Sequence, residues 1–425
     1  MNSPNTLRIA MLSVHTCPLA TLGGKETGGM NVYVRDLSRE LGRRGFLVDV
    51  FTRAQDPEIV GPRPLGENGR VIHIPAGPLA PYDKKLLYNH LPEFVEGVKR
   101  FAQEISYDLI HSHYWLSGLV AWELRKKWNL PVIQMFHTLG HMKNLVARSD
   151  EERETETRLQ AEREIMGFVD RLVACTPLEK RQMVKLYGAD PKKIAVIPCG
   201  VDLSLFRPVD ISQAQERLGW PPDRQMVLFV GRIQPLKGID ILLKAIALAT
   251  DDLPDLCGHL GLTIIGGDPE ATMDREMLRL TRLKKKLGIS DLVTFLGARD
   301  QDTLPYYYSA AQVCVVPSYY ESFGMVALEA MACGTPVIAS RVGGLTFTVK
   351  DGRTGYLVPD GDPAALSEKL KLLLTDEKLR RRMGEEGIKM AQKYSWSLVA
   401  EEIISQYRQL MTGTSLETPA SGYNK

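Results

Sequence analysis

Short apolar segments alternate with longer amphipathic ones along this chain, and the alternation starts afresh near the middle. The first series of apolar segments covers residues 9–14, 48–52, 109–110, 132–135, 172–174 and 194–197; the second covers 227–230, 262–265, 293–296, 313–316 and 337–339. Such runs, apolar on both faces and too short for buried helices, are strands of parallel sheets covered by helices on each side. The segment after the first strand of the second series carries Ile239, Leu242, Leu243 and Ile246 at i, i+3, i+4 and i+7, one apolar face of a helix laid on a sheet. Two such series predict an α/β chain of two doubly wound, Rossmann-like domains. A length of 425 residues suffices for two separate cores. The Pro-bounded, Gly-containing stretch Pro198-Cys-Gly-Val-Asp-Leu-Ser-Leu-Phe-Arg-Pro208 is the expected connection, which places the domains at 1–202 and 208–395. A last amphipathic helix at 396–413 can bury Ile403, Ile404 and Tyr407, and 414–425, rich in Thr, Ser, Pro and Gly, reads as a loose tail.

The formal charge is only +2, so no overall field favours nucleic acid or an anionic membrane surface. Six cysteines lie scattered without Cys-x-x-Cys spacing, several inside apolar strands, which predicts reduced thiols and a cytoplasmic chain. The N-terminal apolar run 7–14 is too short for a signal peptide, and no run approaches the roughly 20 residues of a membrane span. His111-Ser-His113 lacks a carboxylate or thiol to complete a zinc set, and Asp300-Gln-Asp302 and Asp360-Gly-Asp362 sit in polar turns, so no metal and no resident cofactor are expected.

Gly231-Arg-Ile-Gln-Pro-Leu-Lys-Gly238 follows the first strand of the second series and precedes the amphipathic helix, which is where a strand-loop-helix unit binds phosphate. A rigid guanidinium fork at Arg232 and a mobile ammonium at Lys237 together suit a departing diphosphate. Glu321-Ser-Phe-Gly-Met-Val-Ala-Leu-Glu329 follows another strand, with Gly324 opening a helix and allowing close backbone approach to a ligand. The helix behind Glu329 is small and apolar, so that carboxylate needs a partner. In the first series, Gly23-Gly-Lys-Glu-Thr-Gly28-Gly29-Met-Asn31 enters a helix; it is neither a Gly-x-Gly-x-x-Gly fingerprint nor a Walker loop. Phe136-His137-Thr138 sets an imidazole and a hydroxyl at a strand's C-terminal edge.

These motifs resemble those of the retaining, nucleotide-sugar-dependent glycosyltransferases of family 4, along nearly the whole chain. The resemblance implies the GT-B fold, with two Rossmann-like domains facing across a cleft and the final helix returning to the first. It implies that Glu321 and His137 meet the transferred sugar, His137 at its primary hydroxyl, that Glu329 binds the ribose of UDP, and that Arg232 and Lys237 stabilise the leaving group. Gly28 and Gly29 would cover the donor phosphates, and Phe323, Gly324, Met325 and Val326 complete the donor site. UDP rather than ADP or GDP rests on the same resemblance.

Ser13-Val-His-Thr, Gly28-Gly-Met-Asn-Val-Tyr-Val34 and Ile110-His-Ser-His-Tyr-Trp-Leu-Ser-Gly118 are similar to two branches that use phosphorylated acceptors. One is the inositol-phosphate N-acetylglucosaminyltransferases of mycothiol synthesis; the other is the short bacterial sucrose-phosphate synthases. By that likeness Asn31 contacts the acceptor, and Lys84 (or its neighbour Lys85), Tyr114, Thr138 and Arg158 grip its phosphate. Residue usage tips the expectation toward UDP-glucose and fructose 6-phosphate, with UDP-N-acetylglucosamine and inositol phosphate as the alternative. No carboxylate nucleophile presents itself for a retaining reaction, so front-face attack assisted by the leaving phosphate is the expected mechanism. Expected partners are a nucleotide sugar and a sugar or polyol phosphate, with neither nucleic acid nor an integral membrane segment and a homodimer left open. A nicotinamide oxidoreductase is disfavoured by the missing fingerprint. A non-catalytic sugar-nucleotide sensor would keep the same pocket.

Overall fold

The structure, a computed structural model, describes residues 6–20, 27–256, 258–268 and 274–413. Gly23, Gly24, Cys257 and the 414–425 tail lie outside the described residues. Contacts divide the chain into two compact units, one of residues 6–20, 29–199 and 396–413, the other of 27–28 and 200–395.

The first unit is built on eight strands: β1 (Arg8–Leu12), β2 (Leu47–Arg53), β3 (Gly61–Pro64), β4 (Gly69–Ile74), β5 (Leu109–His113), β6 (Val132–Met135), β7 (Arg171–Ala174) and β8 (Ile194–Val196). Their order is β3-β4-β2-β1-β5-β6-β7-β8, parallel except for the β3–β4 pair. The strand order reverses direction at β1 and β5, which makes their C-terminal ends the ligand position of a doubly wound sheet. Sequence periodicity did not reveal β3 and β4. Gly-Pro-Arg-Pro at β3 reads as a breaker, and two prolines are tolerated because the strand lies at the sheet edge.

The final helix, Trp396–Thr412, belongs to this unit and packs on helix Gly29–Arg43. Val399, Ile403, Ile404 and Tyr407 are buried on its inner face, each contributing about 1.5–3 kcal/mol of apolar burial. Polar contacts fix its register: Arg44 Nη2 donates to the Ser397 carbonyl at 2.7 Å, and Tyr407 Oη meets His111 Nδ1 at 2.7 Å.

The second unit holds six parallel strands: β9 (Gln225–Val230), β10 (Leu260–Ile265), β11 (Val293–Gly297), β12 (Val313–Val316), β13 (Val337–Ser340) and β14 (Gly355–Val358), ordered β11-β10-β9-β12-β13-β14. Here the switch falls between β9 and β12. Helix Ile239–Asp252 buries Ile239, Leu242, Leu243 and Ile246, as its periodicity requires, and packs beside helix Pro363–Thr375. β14, a four-residue edge strand behind a turn, escaped the sequence reading. Among the described residues, no helix is long and apolar enough to cross a membrane and no group of three His, Cys, Asp or Glu could hold a metal ion.

Candidate functional site

In the second unit, the segments leaving β9 and β12 meet. Arg232 stands immediately beyond β9, half-buried, and makes no ion pair or side-chain hydrogen bond with the described residues. A short turn of helix, Pro235–Lys237, then brings Lys237 Nζ onto Glu321 Oε1 in an ion pair, with the two side chains 16% and 19% exposed. Ser318 Oγ lies 3.4 Å from the same carboxylate oxygen, and Tyr319 N donates to the Leu236 carbonyl at 2.9 Å, so the two loops are tied together. Gly238, with φ +66°, lets the chain turn from Lys237 into its helix, and a Cβ there would sit 2.0 Å from the Pro317 carbonyl oxygen. No other residue type satisfies both demands.

Glu321 lies in the loop ahead of helix Met325–Ala332, and Gly324 opens that helix at φ +91°. Gly344 N donates to the Glu321 carbonyl at 2.8 Å and Thr348 Oγ1 to the Phe323 carbonyl at 2.6 Å, so the segment after β13 clamps the loop from behind. Phe323 is buried, whereas Met325 and Val326 remain partly exposed on the first turn. Glu329 is buried on that helix and accepts a hydrogen bond from Tyr308 Oη at 2.8 Å. Burial, seconded by Glu329 itself, raises the Tyr308 pKa far above its ordinary value, so the phenol is a permanent donor. Tyr308 is the partner that Glu329 needed, and it comes from helix Leu304–Ala310, out of reach of any local motif.

In the first unit, the segments after β1, β5 and β6 converge. His15 follows β1, and its ring lies 4.4 Å from that of Tyr114, which begins the helix after β5. Tyr114 and His137 both have positive φ, +74° and +61°, in a region that bulky residues seldom occupy. Asn31 is buried on helix Gly29–Arg43 and donates to Thr16 Oγ1 at 2.5 Å and to the Cys17 carbonyl at 2.7 Å.

Arg158 is only 1% exposed and gathers the unit's polar centre: Nη1 donates to Tyr114 Oη at 2.9 Å, Nη2 to the Thr138 carbonyl at 2.8 Å and Oγ1 at 3.2 Å. Its Nε is 2.7 Å from Glu162 and Nη1 is 2.9 Å from Glu154. Burial opposes the charge, but Tyr114, Glu162 and Glu154 outweigh it and the guanidinium pKa rises. Lys143 Nζ pairs with the other flank of this set at Glu154. Its pKa is lowered, chiefly by burial and in part by Arg158 and Lys84, which places Lys84 in the same neighbourhood. Lys85 is turned elsewhere, donating to the Glu151 carbonyl at 3.2 Å.

The fold thus brings Tyr114, Thr138 and Arg158 together, with the charge of Lys84 felt at neighbouring Lys143, and gathers Arg232, Lys237, Glu321, Phe323, Gly324 and Glu329 around the β9–β12 switch. Lys143, Glu154 and Glu162 were missed by the sequence reading; the only signal of the two glutamates is their spacing of four from Arg158, Glu162 on the same helix Glu156–Phe168 and Glu154 just ahead of its cap, and Lys143 carries none. Buried His111 and His113 and half-buried His137 form a further cluster beside Tyr33, with ring centroids 4.3 Å apart for His111–His113 and 5.2 Å for His113–His137.

Residues 27–205 match the family described as Glycosyltransferase Family 4, and residues 210–390 match that described as Glycosyl transferases group 1. D-inositol 3-phosphate glycosyltransferase 2 from Catenulispora acidiphila is 43% identical over 94% of this chain and 94% of its own length. D-inositol 3-phosphate glycosyltransferase from Thermomonospora curvata is 41% identical over 94% of this chain and 95% of its own. Among solved structures, sucrose-phosphate synthase from Thermosynechococcus elongatus superposes with a TM-score of 0.89, at 40% identity, covering 96% of this chain and all of that one. With matches across both units, the chain belongs to the family 4 glycosyltransferases of GT-B fold.

Proposed function

We propose that this glycosyltransferase moves a hexosyl group from a UDP-sugar to a phosphorylated small acceptor, with retention at the anomeric carbon, and that the acceptor is an inositol phosphate. The observation that carries the phosphorylated acceptor is the convergence of Tyr114, Thr138 and Arg158 with Lys84 and Lys143 at the C-terminal edge of the first sheet. Hydroxyl donors with cations close by suit a phosphate dianion. Asn31 is the further acceptor contact. The relatives named for D-inositol 3-phosphate support inositol phosphate over the fructose 6-phosphate that residue usage favoured. The 40% identity and TM-score of 0.89 to a sucrose-phosphate synthase keep UDP-glucose and fructose 6-phosphate as the second reading.

On the donor side, Glu329 holds the ribose hydroxyls, Glu321 and His137 orient the sugar, and Arg232 with Lys237 neutralises the diphosphate as the glycosidic bond breaks. Gly28, Gly29 and the first turn at Gly324, Met325 and Val326, backed by Phe323, offer backbone amides to the donor. The acceptor hydroxyl attacks from the face the UDP leaves, and the departing phosphate oxygen takes its proton, so no side-chain base is required. Charge stabilisation of a leaving group in a dry site is worth about 3–4 kcal/mol per donor. The test is a matrix of UDP-glucose and UDP-N-acetylglucosamine against inositol phosphate and fructose 6-phosphate, followed by UDP release. Turnover only with the inositol phosphate supports the first reading, turnover only with fructose 6-phosphate the second, and no turnover with either removes both.

A further inference from the structure

The buried histidine cluster holds a group that the proposed mechanism does not use. His113 is fully buried at the end of β5, and its Nδ1 lies 3.0 Å from Nε2 of His137. The two rings share one proton across that contact, with both imidazoles neutral: burial depresses His137 to about 3 and holds His113 well below its ordinary value. Two arrangements are available. If His137 donated, the proton of His113 would sit on Nε2, a buried position with no hydrogen-bond partner. If His113 donates from Nδ1, that buried Nε2 is a bare acceptor. Buried N–H groups without an acceptor are rarer than unmatched acceptors, so the second arrangement is favoured. It also fixes the other ring. His137 Nε2 accepts, its proton goes to Nδ1, and Nδ1 is the edge that neither a described partner nor burial closes off.

We propose that His113 is a positioning residue that locks His137 into the Nδ1–H tautomer, so that His137 offers a hydrogen-bond donor, not an acceptor, to its ligand. The backbone at His137 is constrained, with φ of +61°, and in that conformation its ring meets the residue that ends β5. Tyr33 packs against both, its ring 5.6 Å from that of His113 and 5.1 Å from that of His137, and among the described residues the His113–His137 bond is the polar contact of either ring. That the ligand is the transferred sugar rests on the reading given under the proposed function; the tautomer does not.

The test separates the two. Histidine ring 15N spectra of the full chain, with the His137 signals assigned by their loss in His137→Gln, report which nitrogen carries the proton. The proposal expects a pyrrole-type Nδ1 and a pyridine-type Nε2 at neutral pH, a mixed population in His113→Phe, and recovery in His113→Asn, whose amide can donate from near the position of Nδ1. A wild-type His137 protonated on Nε2 overturns it without need of any variant, as does an unchanged spectrum in a folded His113→Phe. A second arm compares kcat/KM for the UDP-hexose with that for its 6-deoxy analogue. A mixed population lowers the hydroxyl contact only by the inverse of the Nδ1–H fraction, so the discrimination should fall about two- to fivefold in His113→Phe and stay intact in His113→Asn. Spectra as expected with unaltered discrimination would leave the tautomer lock standing and remove the sugar from His137.

Discussion

Lys237→Ala tests the donor side most sharply, because the lysine has both a structural partner and a proposed chemical one. Its ammonium is paired with Glu321, and with side chains 16% and 19% exposed the pair is partly screened. Such a pair contributes no more than about 1 kcal/mol to stability, so the variant should melt close to the wild type. The kinetic loss is far larger: removing one charge-stabilising donor from a departing diphosphate costs about 3–4 kcal/mol, a fall in kcat of roughly 10²- to 10³-fold. Part of that loss comes from Glu321, now an unmatched anion near the phosphates. At about 6 Å and an effective dielectric of about 40, its repulsion is roughly 1.4 kcal/mol, or tenfold. Lys237→Ala with Glu321→Gln should therefore turn over about ten times faster than Lys237→Ala alone, while both remain well below wild type. The assay is steady-state UDP release at saturating donor and acceptor, with thermal denaturation alongside. If Glu321→Gln alone were as impaired as Lys237→Ala, and restoring Lys237 to the double variant changed nothing, the lysine would be only an anchor for the glutamate and the leaving-group argument would be wrong.

Tyr114→Phe removes the phenol oxygen 2.9 Å from Arg158 while keeping the ring, and should raise KM for the phosphorylated acceptor at least several-fold with KM for the UDP-sugar unchanged; equal shifts in both would count against the acceptor assignment. Arg158→Ala is a poorer probe, since it takes the cation from fully buried Glu162, while Glu154 keeps Lys143, and should cost about 3–5 kcal/mol of stability, read as a lower denaturant midpoint. Gly238→Ala combines a φ of +66° with a Cβ 2.0 Å from a backbone oxygen and should destabilise by more than about 3 kcal/mol, whereas Gly288→Ala, at φ +71° with no atom within 4 Å, should cost only about 1 kcal/mol; similar melting shifts would contradict the packing. Burial depresses His111 and His137 to about 3 and holds His113 well below the roughly 6.5 of the unfolded chain, so the unfolded chain takes up these protons first as pH falls. Their stability is complete above pH 6.5 and is lost toward pH 3 by about 1.4 kcal/mol per pH unit per imidazole; the urea midpoint of His137→Gln should fall less steeply than that of wild type in this window.

The two-series α/β fold was legible because parallel strands buried on both faces must be short apolar runs, as β9 and β12 are. β3 was not, because two prolines are acceptable only where the neighbouring edge is absent, and that is a fact about the sheet. Arg232, Lys237 and Glu321 could be singled out by their places after strands, yet the ion pair between Lys237 and Glu321 spans two loops 84 residues apart. Glu329 announced its need for a partner through its apolar helix, but Tyr308 could be named only once the helices were packed. The same holds for Arg158: its charge was visible, its enclosure by Glu154 and Glu162 was not. Positive φ at Tyr114 and His137 left no mark in the sequence, since neither is a glycine.

The central claim is that the second unit holds the diphosphate of UDP, and a crystal structure with bound UDP tests it most directly. The β-phosphate oxygens should lie within hydrogen-bond distance of Arg232 and Lys237, with the ribose hydroxyls on Glu329. UDP bound with its phosphates away from both cations would contradict the account.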